Sequence, residues 1–166
     1  LDCPPSQLTG LTVDVLGAGG AARAVLYGLS MFGCDVTIFG RSLDKARRLA
    51  DEHGARAAAW EDRAGRKGKV LINCTSVGLW PRVNESPMPQ DSLDGCRLVF
   101  DLVYHPLQTQ LLRQADQAGV QTLNGLDMFI RQAAMQFELW TSKAPDRGRA
   151  YRIVADEIRR YAGSSE

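Results

Sequence analysis

Apolar positions along this chain switch repeatedly between strand-like runs and helical stripes. Residues 12–16 form a short β-branched and apolar run that stops at Gly17-Ala18-Gly19-Gly20, the pattern of a buried strand entering a tight turn. Ala22, Val25, Leu26 and Leu29 recur at i, i+3, i+4 and i+7. This predicts a helix with one apolar face, stopped at Gly33. A strand is expected over 35–39, then a helix capped by Ser42 and ended by Gly54, with Leu43, Ala46, Leu49 and Ala50 turned inward. Residues 56–60 read as a weaker strand and 61–68 as a charged loop. Residues 70–73 and 98–102 read as short buried strands, separated by a loop that carries Pro81, Pro87 and Pro89. A helix over 109–118, closed by Gly119, and a strand over 120–123 complete the alternation.

Alternation of this kind predicts an α/β fold: a doubly wound, mostly parallel sheet with helices on both faces, followed by C-terminal helices. At 166 residues and 45% hydrophobic content the chain can bury one sizeable core. Its 20 basic and 19 acidic residues nearly cancel, so no overall field attracts nucleic acid or an anionic membrane, and any anion site must be local. No apolar run approaches membrane-span length. Cys3, Cys34, Cys74 and Cys96 contain no CxxC pair and only two histidines accompany them, which argues against zinc or a disulfide framework and for a reducing, cytoplasmic setting. Asp14 stands inside the first strand, where an unpartnered carboxylate is costly, and the sequence names no partner for it. The opening at Leu1 with Pro4-Pro5 reads as a piece beginning at a linker.

The strongest local signal is the turn after the first strand. Gly17, Gly19 and Ala22 occupy the small-residue positions of G-x-G-x-x-G/A, with Ala18, Gly20 and Ala21 between them. The first position frees the backbone for the turn, the second lets a diphosphate approach, and the third lets helix and strand pack closely. Helix-start amides would then face the phosphates. An acid at the end of the second strand would favour NAD; here the segment reads Phe39-Gly40-Arg41-Ser42, with Lys45 one turn on. Arg41, Ser42 and Lys45 suit a ribose phosphate, so NADP is the expected cofactor, with Asp44 in the same turn opposing it.

Four segments together resemble shikimate dehydrogenase: GAGGAARA from Gly17, NCTSVGL from Asn73, DLVYHPLQT from Asp101, and NGLDMFIRQAAMQFELW from Asn124. The resemblance implies a Rossmann-type NADP(H)-binding domain serving the reversible reduction of 3-dehydroshikimate to shikimate. It also implies that Gly17, Ala18, Gly19, Gly20 and Ala21 bind the diphosphate and that Arg41, Ser42 and Lys45 bind the adenosine phosphate. Asn73, Thr75, Ser76 and Val77 would run beside the cofactor, Gly125 and Met128 beside the nicotinamide, and Tyr104 and Gln132 would touch the substrate. Gly40 departs from the family's usual Asn. In the family a Lys–Asp pair on a separate N-terminal domain handles the proton; neither segment is present, so no catalytic residue is assigned and binding without turnover is expected. Tyr104, His105 and Lys143 are the conceivable stand-ins, His105 reading better as a surface residue; Cys74 has no identifiable partner base and reads as a small buried filler.

The segment 126–141 carries two apolar stripes. Leu126, Ile130, Ala133, Phe137 and Trp140 should pack on this domain, while Met128, Gln132, Met135 and Leu139 lie roughly opposite and want cover from elsewhere. That cover would be the substrate domain, which shares the substrate, or a second copy in self-association. Residues 1–145 are read as the cofactor-binding domain and 146–166 as an appended amphipathic helix, on Tyr151, Val154, Ile158 and Tyr161, with a disordered end from Gly163. A stand-alone enzyme, a fusion with dehydroquinate dehydratase, a quinate- or aminoshikimate-preferring relative and a non-catalytic dinucleotide sensor all remain open at this level.

Overall fold

The computed structural model describes residues 5–163; the expectations for Pro4 and for residues 164–166 lie outside them. Strands β1 (Thr12–Leu16), β2 (Asp35–Gly40), β3 (Arg56–Ala59), β4 (Val70–Asn73), β5 (Leu98–Asp101) and β6 (Gln121–Leu123) form one parallel sheet in the order β3-β2-β1-β4-β5-β6. Helices α1 (Gly20–Met31), α2 (Leu43–His53) and α3 (Gln110–Gln117) connect the strands, and α4 (Gly125–Thr141) and α5 (Arg147–Gly163) follow. This is the doubly wound Rossmann arrangement. Its strand order reverses direction at β1 and β4, which places a crevice beyond their carboxyl ends.

Strand alternation assigns the two faces. Val13, Val15, Val36, Ile38, Val70 and Ile72 point to the layer containing Ala22 and Leu26 of α1 and Ala46 and Leu49 of α2. Leu16, Phe39, Leu71 and Val99 point to the other, with Leu111, Leu112 and Ala115 of α3. Between β4 and β5 no helix forms. The proline-bearing loop instead inserts Met88 and Leu93, each at most 5% exposed, into that second layer. The central strands β1 and β4 are thereby covered on both faces, as parallel strands require.

The charged stretch 61–68 is not the free loop expected from its composition. Trp60–Gly65 is a 3-10 helix, and Arg66 behind it is buried and explains Asp14. The Asp14 carboxylate accepts from the Gly68 amide at 2.6 Å and from Arg66 Nη1 at 3.4 Å, while Arg66 also donates to the Gly68 carbonyl. A Cβ on Gly68 would stand 2.5 Å from Asp14 Oδ2, so the close approach requires glycine there. Burial pushes the Asp14 carboxyl above its ordinary value; the Gly68 amide and then Arg66 pull against it.

The C-terminal helices also differ from their apolar pattern. Gly125, Leu126, Ile130 and Ala134 are the buried positions of α4, and Leu126 and Ile130 pack with Ala155 and Ile158 of α5. Ala133 is exposed, as are Phe137 and Trp140, the latter at 76%. α5 runs back beside α4 after the left-handed cap at Ser142, and the apolar residues it contributes cover the first half of α4. Tyr161, expected on the inner stripe of α5, is exposed, and α5 runs as far as Gly163.

Candidate functional site

Gly17 leaves β1 with φ of 101°, its amide donating to the Phe39 carbonyl at 2.8 Å. A Cβ there would lie 3.1 Å from Thr75 Cγ2 and 3.3 Å from the Cys74 carbonyl, so both the left-handed backbone and the approach of the β4 loop call for glycine. Gly19 serves differently. It precedes α1 without any side-chain cap, and a Cβ on it would meet nothing within 4 Å. The space beside it is open cleft, and the uncapped amides of Gly20, Ala21 and their neighbours begin α1 there. A diphosphate fits such a cradle: it needs bare backbone and helix-start N–H groups.

The cleft measures about 540 Å³, and Gly17, Ala18 and Gly19 line it. Arg41, Ser42 and Lys45 contribute from the start of α2, and Thr75, Ser76 and Val77 from the loop after β4. Ser42 Oγ accepts from the Lys45 amide, so Ser42 caps the first turn of α2, which carries Lys45. A Cβ at Gly40 would stand 3.0 Å from Ala46 Cβ and 3.5 Å from that of Ala18. The first turn of α2 therefore closes tightly on this position, so that a side chain there needs Ala46 to yield slightly.

Asn73 is the exception among the β4-end residues. It is fully buried and its carboxamide is engaged inside the protein: Nδ2 donates to Asp101 at 2.9 Å, and Oδ1 accepts from the Thr75 amide at 3.0 Å and its hydroxyl at 2.7 Å. Asp101 in turn accepts from the Val103 amide at 3.0 Å and from Thr109 Oγ1 at 2.7 Å, and Thr109 caps α3. One buried carboxylate thus ties together β4, β5, the loop after each and the start of α3. Burial pushes the Asp101 carboxyl above its ordinary value, against three donors that pull it down. The sequence reading singled out neither Asp101 nor Thr109 as a site residue. The available signal was an acid at a strand end followed, eight positions on, by a hydroxyl residue able to cap a helix. Cys74, beside this network, is no nucleophile: burial, then the Asp101 charge, pushes its thiol up to about 12.

The remaining expected residues gather around α4, outside this cleft. Gly125 is packed on the backbone of Leu102, where an added Cβ would fall 2.1 Å from the carbonyl oxygen. Met128 and Gln132 line a second concavity of about 580 Å³, an apolar groove with Phe100, Leu123 and Met135. Tyr104 stacks on Phe129 with ring centroids 4.8 Å apart, at the edge of the α4–α5 cluster. His105 is half-buried and stacks on Trp80, whose amide donates to the His105 carbonyl at 3.0 Å, so it bridges two loops and is not a free surface residue. Among the described residues no cluster of His, Cys, Asp and Glu could hold a metal, and no helix is long and apolar enough to cross a membrane.

Comparison with known proteins agrees with this geometry. Residues 125–154 match the model of the shikimate 5'-dehydrogenase C-terminal domain. The chain is 43% identical over 139 residues to the chloroplastic bifunctional 3-dehydroquinate dehydratase/shikimate dehydrogenase of Arabidopsis thaliana, covering 82% of this chain and 23% of that protein. It is 39% identical over 153 residues to a shikimate dehydrogenase (NADP(+)) of Shouchella clausii, covering 89% and 56%. Among solved structures, the shikimate 5-dehydrogenase of Thermus thermophilus in complex with NADP(H) and shikimate superposes with a TM-score of 0.78 at 37% identity, over 91% of this chain and 56% of that one. The chain therefore spans about half the length of single-enzyme relatives such as that of Shouchella clausii. With the fold, the glycine cradle and the α4 segment in agreement, this chain belongs to the shikimate dehydrogenase family, of which it forms the C-terminal domain.

Proposed function

We propose that this chain is the NADP(H)-binding domain of a shikimate dehydrogenase, acting in the NADPH-dependent, reversible reduction of 3-dehydroshikimate to shikimate. The observation that carries the reading is the cleft itself, where bare glycine backbone and the start of α1 meet Arg41, Ser42 and Lys45. When bound, the nicotinamide supplies the hydride. Gly17 to Ala21 hold the diphosphate, Arg41, Ser42 and Lys45 hold the adenosine phosphate, and Thr75, Ser76 and Val77 form the wall beside the dinucleotide. Asn73 acts from behind by fixing Thr75. Gly125 sets the seating of α4, which presents Met128 toward the nicotinamide side and Gln132, with Tyr104, toward the substrate hydroxyls and carboxylate.

Residues 1–145 make up the cofactor-binding domain and 146–166 an appended helical segment. The groove along α4 is the side on which a substrate-binding domain completes the enzyme and supplies the proton-transfer groups. The chain alone binds nucleotide without turnover, and the uncovered Met135, Leu139 and Trp140 promote self-association. Its free thiols Cys34, Cys74 and Cys96 suit a reducing compartment, the cytoplasm.

The test is titration of NADPH and NADH into the purified chain by fluorescence. Arg41→Ala should weaken NADPH by about 1.5–3 kcal/mol, one charge-assisted contact, and leave NADH nearly unchanged. Equal losses for both nucleotides would overturn the phosphate assignment.

A further inference from the structure

The loop that replaces a helix between β4 and β5 carries two further charged residues into the cleft. Arg82 and Glu85 line it, together with Trp60 at the end of β3. Their placement is built, not incidental. The amide of Arg82 donates to the Leu79 carbonyl at 2.9 Å and that of Glu85 to the Arg82 carbonyl at 3.2 Å, so the segment is wound in successive turns. Gly78, at φ of 89°, lets the loop fold back: a Cβ there would stand 3.2 Å from the Glu85 carbonyl. Farther along, Arg63 holds the loop to the 3-10 helix after β3, donating through Nε to the Pro87 carbonyl at 2.6 Å while its guanidinium lies 4.4 Å over the Trp60 ring. The loop is thus anchored at the β3 side of the sheet, next to β2, whose end delivers Arg41 and Ser42. Arg82 and Glu85 form a loose ion pair at 3.5 Å, with side chains 62% and 48% exposed. A pair this open holds neither partner firmly, and Arg82 keeps donors to spare.

The charge of the cleft makes the same point. Its cations are Arg41, Lys45 and Arg82, and Glu85 is the acid among the residues that line it. A dinucleotide phosphate entering beside Arg41 competes with Glu85 for Arg82, and a dianionic phosphate ester outbids one carboxylate in Coulomb terms. We propose that Arg82 is a third cation for the ribose phosphate of NADP(H), supplied by the loop after β4, and that Glu85 weakens this contact by competing with the phosphate for Arg82. The inference rests on the cofactor reading above. It makes the loop after β4 a determinant of NADP over NAD, a role otherwise given to the segment after β2.

The experiment titrates NADPH and NADH into the 166-residue chain, its Arg41→Ala reference, Arg82→Ala, Glu85→Gln and the Arg82→Ala/Glu85→Gln double variant, at one fixed salt concentration. Both loop residues are exposed at the side chain, so circular dichroism and melting should match wild type. Arg82→Ala should weaken NADPH about tenfold and NADH less than about twofold, as for one partly solvated charge-assisted contact. Glu85→Gln should tighten NADPH, and that gain should vanish in the double variant. If wild type binds NADPH and Arg41→Ala weakens it while Arg82→Ala does not, the role of Arg82 is overturned and the cofactor reading stands. Equal weakening of NADPH and NADH by Arg82→Ala overturns the ribose-phosphate assignment. Failure of wild type to prefer NADPH overturns the cofactor reading itself.

Discussion

Asp101 offers a direct measure of how far burial and hydrogen bonding compete behind the cleft. Replacing it with Ala strands three buried donors: Asn73 Nδ2, the Val103 amide and Thr109 Oγ1, at 2.9, 3.0 and 2.7 Å. Hydrogen bonds to a charged acceptor are each worth about 1.5–3 kcal/mol, and neighbours in one network do not add fully, so a loss of about 3–5 kcal/mol is expected. Asp101→Asn keeps one carbonyl oxygen for Asn73 and Val103 and turns an NH2 toward Thr109, whose hydroxyl can rotate to accept. The cost should fall to about 1–2 kcal/mol.

The pH dependence separates the two forces. The folded carboxyl of Asp101 is raised above its ordinary 3.8, desolvation exceeding the pull of the three donors. A raised carboxyl contributes stability that is fully present below the unfolded value and is lost as pH rises through the folded one. The difference in unfolding free energy between wild type and Asp101→Asn should therefore be greatest below about pH 4 and shrink toward neutrality. Asp14, also raised, is common to both proteins and cancels. Urea denaturation at a series of pH values measures that difference. A gap that instead widens with rising pH would show that the donors win over burial, and would refute the reasoning.

Other expected outcomes follow from close approaches and buried charge. Gly125→Ala would gain about 1 kcal/mol of helix propensity on an open helix, yet its Cβ, 2.1 Å from the Leu102 carbonyl oxygen, must displace backbone. A net loss of about 2 kcal/mol or more should appear in denaturation, and an unchanged or stabilised variant would contradict the packing described. Asp14→Ala leaves the Arg66 guanidinium buried and unpaired and should cost about 3–5 kcal/mol, whereas Asp14→Leu with Arg66→Met should cost much less. A double variant no better than the single would show that the pair matters for more than neutralising buried charge.

The sequence by itself determined the order of strands and helices, because a period of two or of 3.6 residues records which face each element buries. It also determined the glycine cradle and the Arg41-Ser42-Lys45 wall, since these sit within a few positions of strand ends whose carboxyl edge is the crevice of any doubly wound sheet. What it could not determine were relations between distant positions. The partner of Asp14 lies 52 residues away, in a stretch that composition alone marks as solvent-exposed. Asn73 was legible as part of a strand-end motif, yet only the fold shows that its carboxamide faces Asp101, 28 residues on, instead of the cleft. The stripe along α4 was legible too, but its length was misleading. A periodic pattern says which side of a helix seeks cover, whereas how much of that side is covered depends on where α5 docks, and that is fixed by packing between Leu126, Ile130, Ala155 and Ile158. Local steric preferences are written in neighbouring residues; burial of charge and cover of an apolar face are properties of surfaces that exist only once the chain has closed on itself.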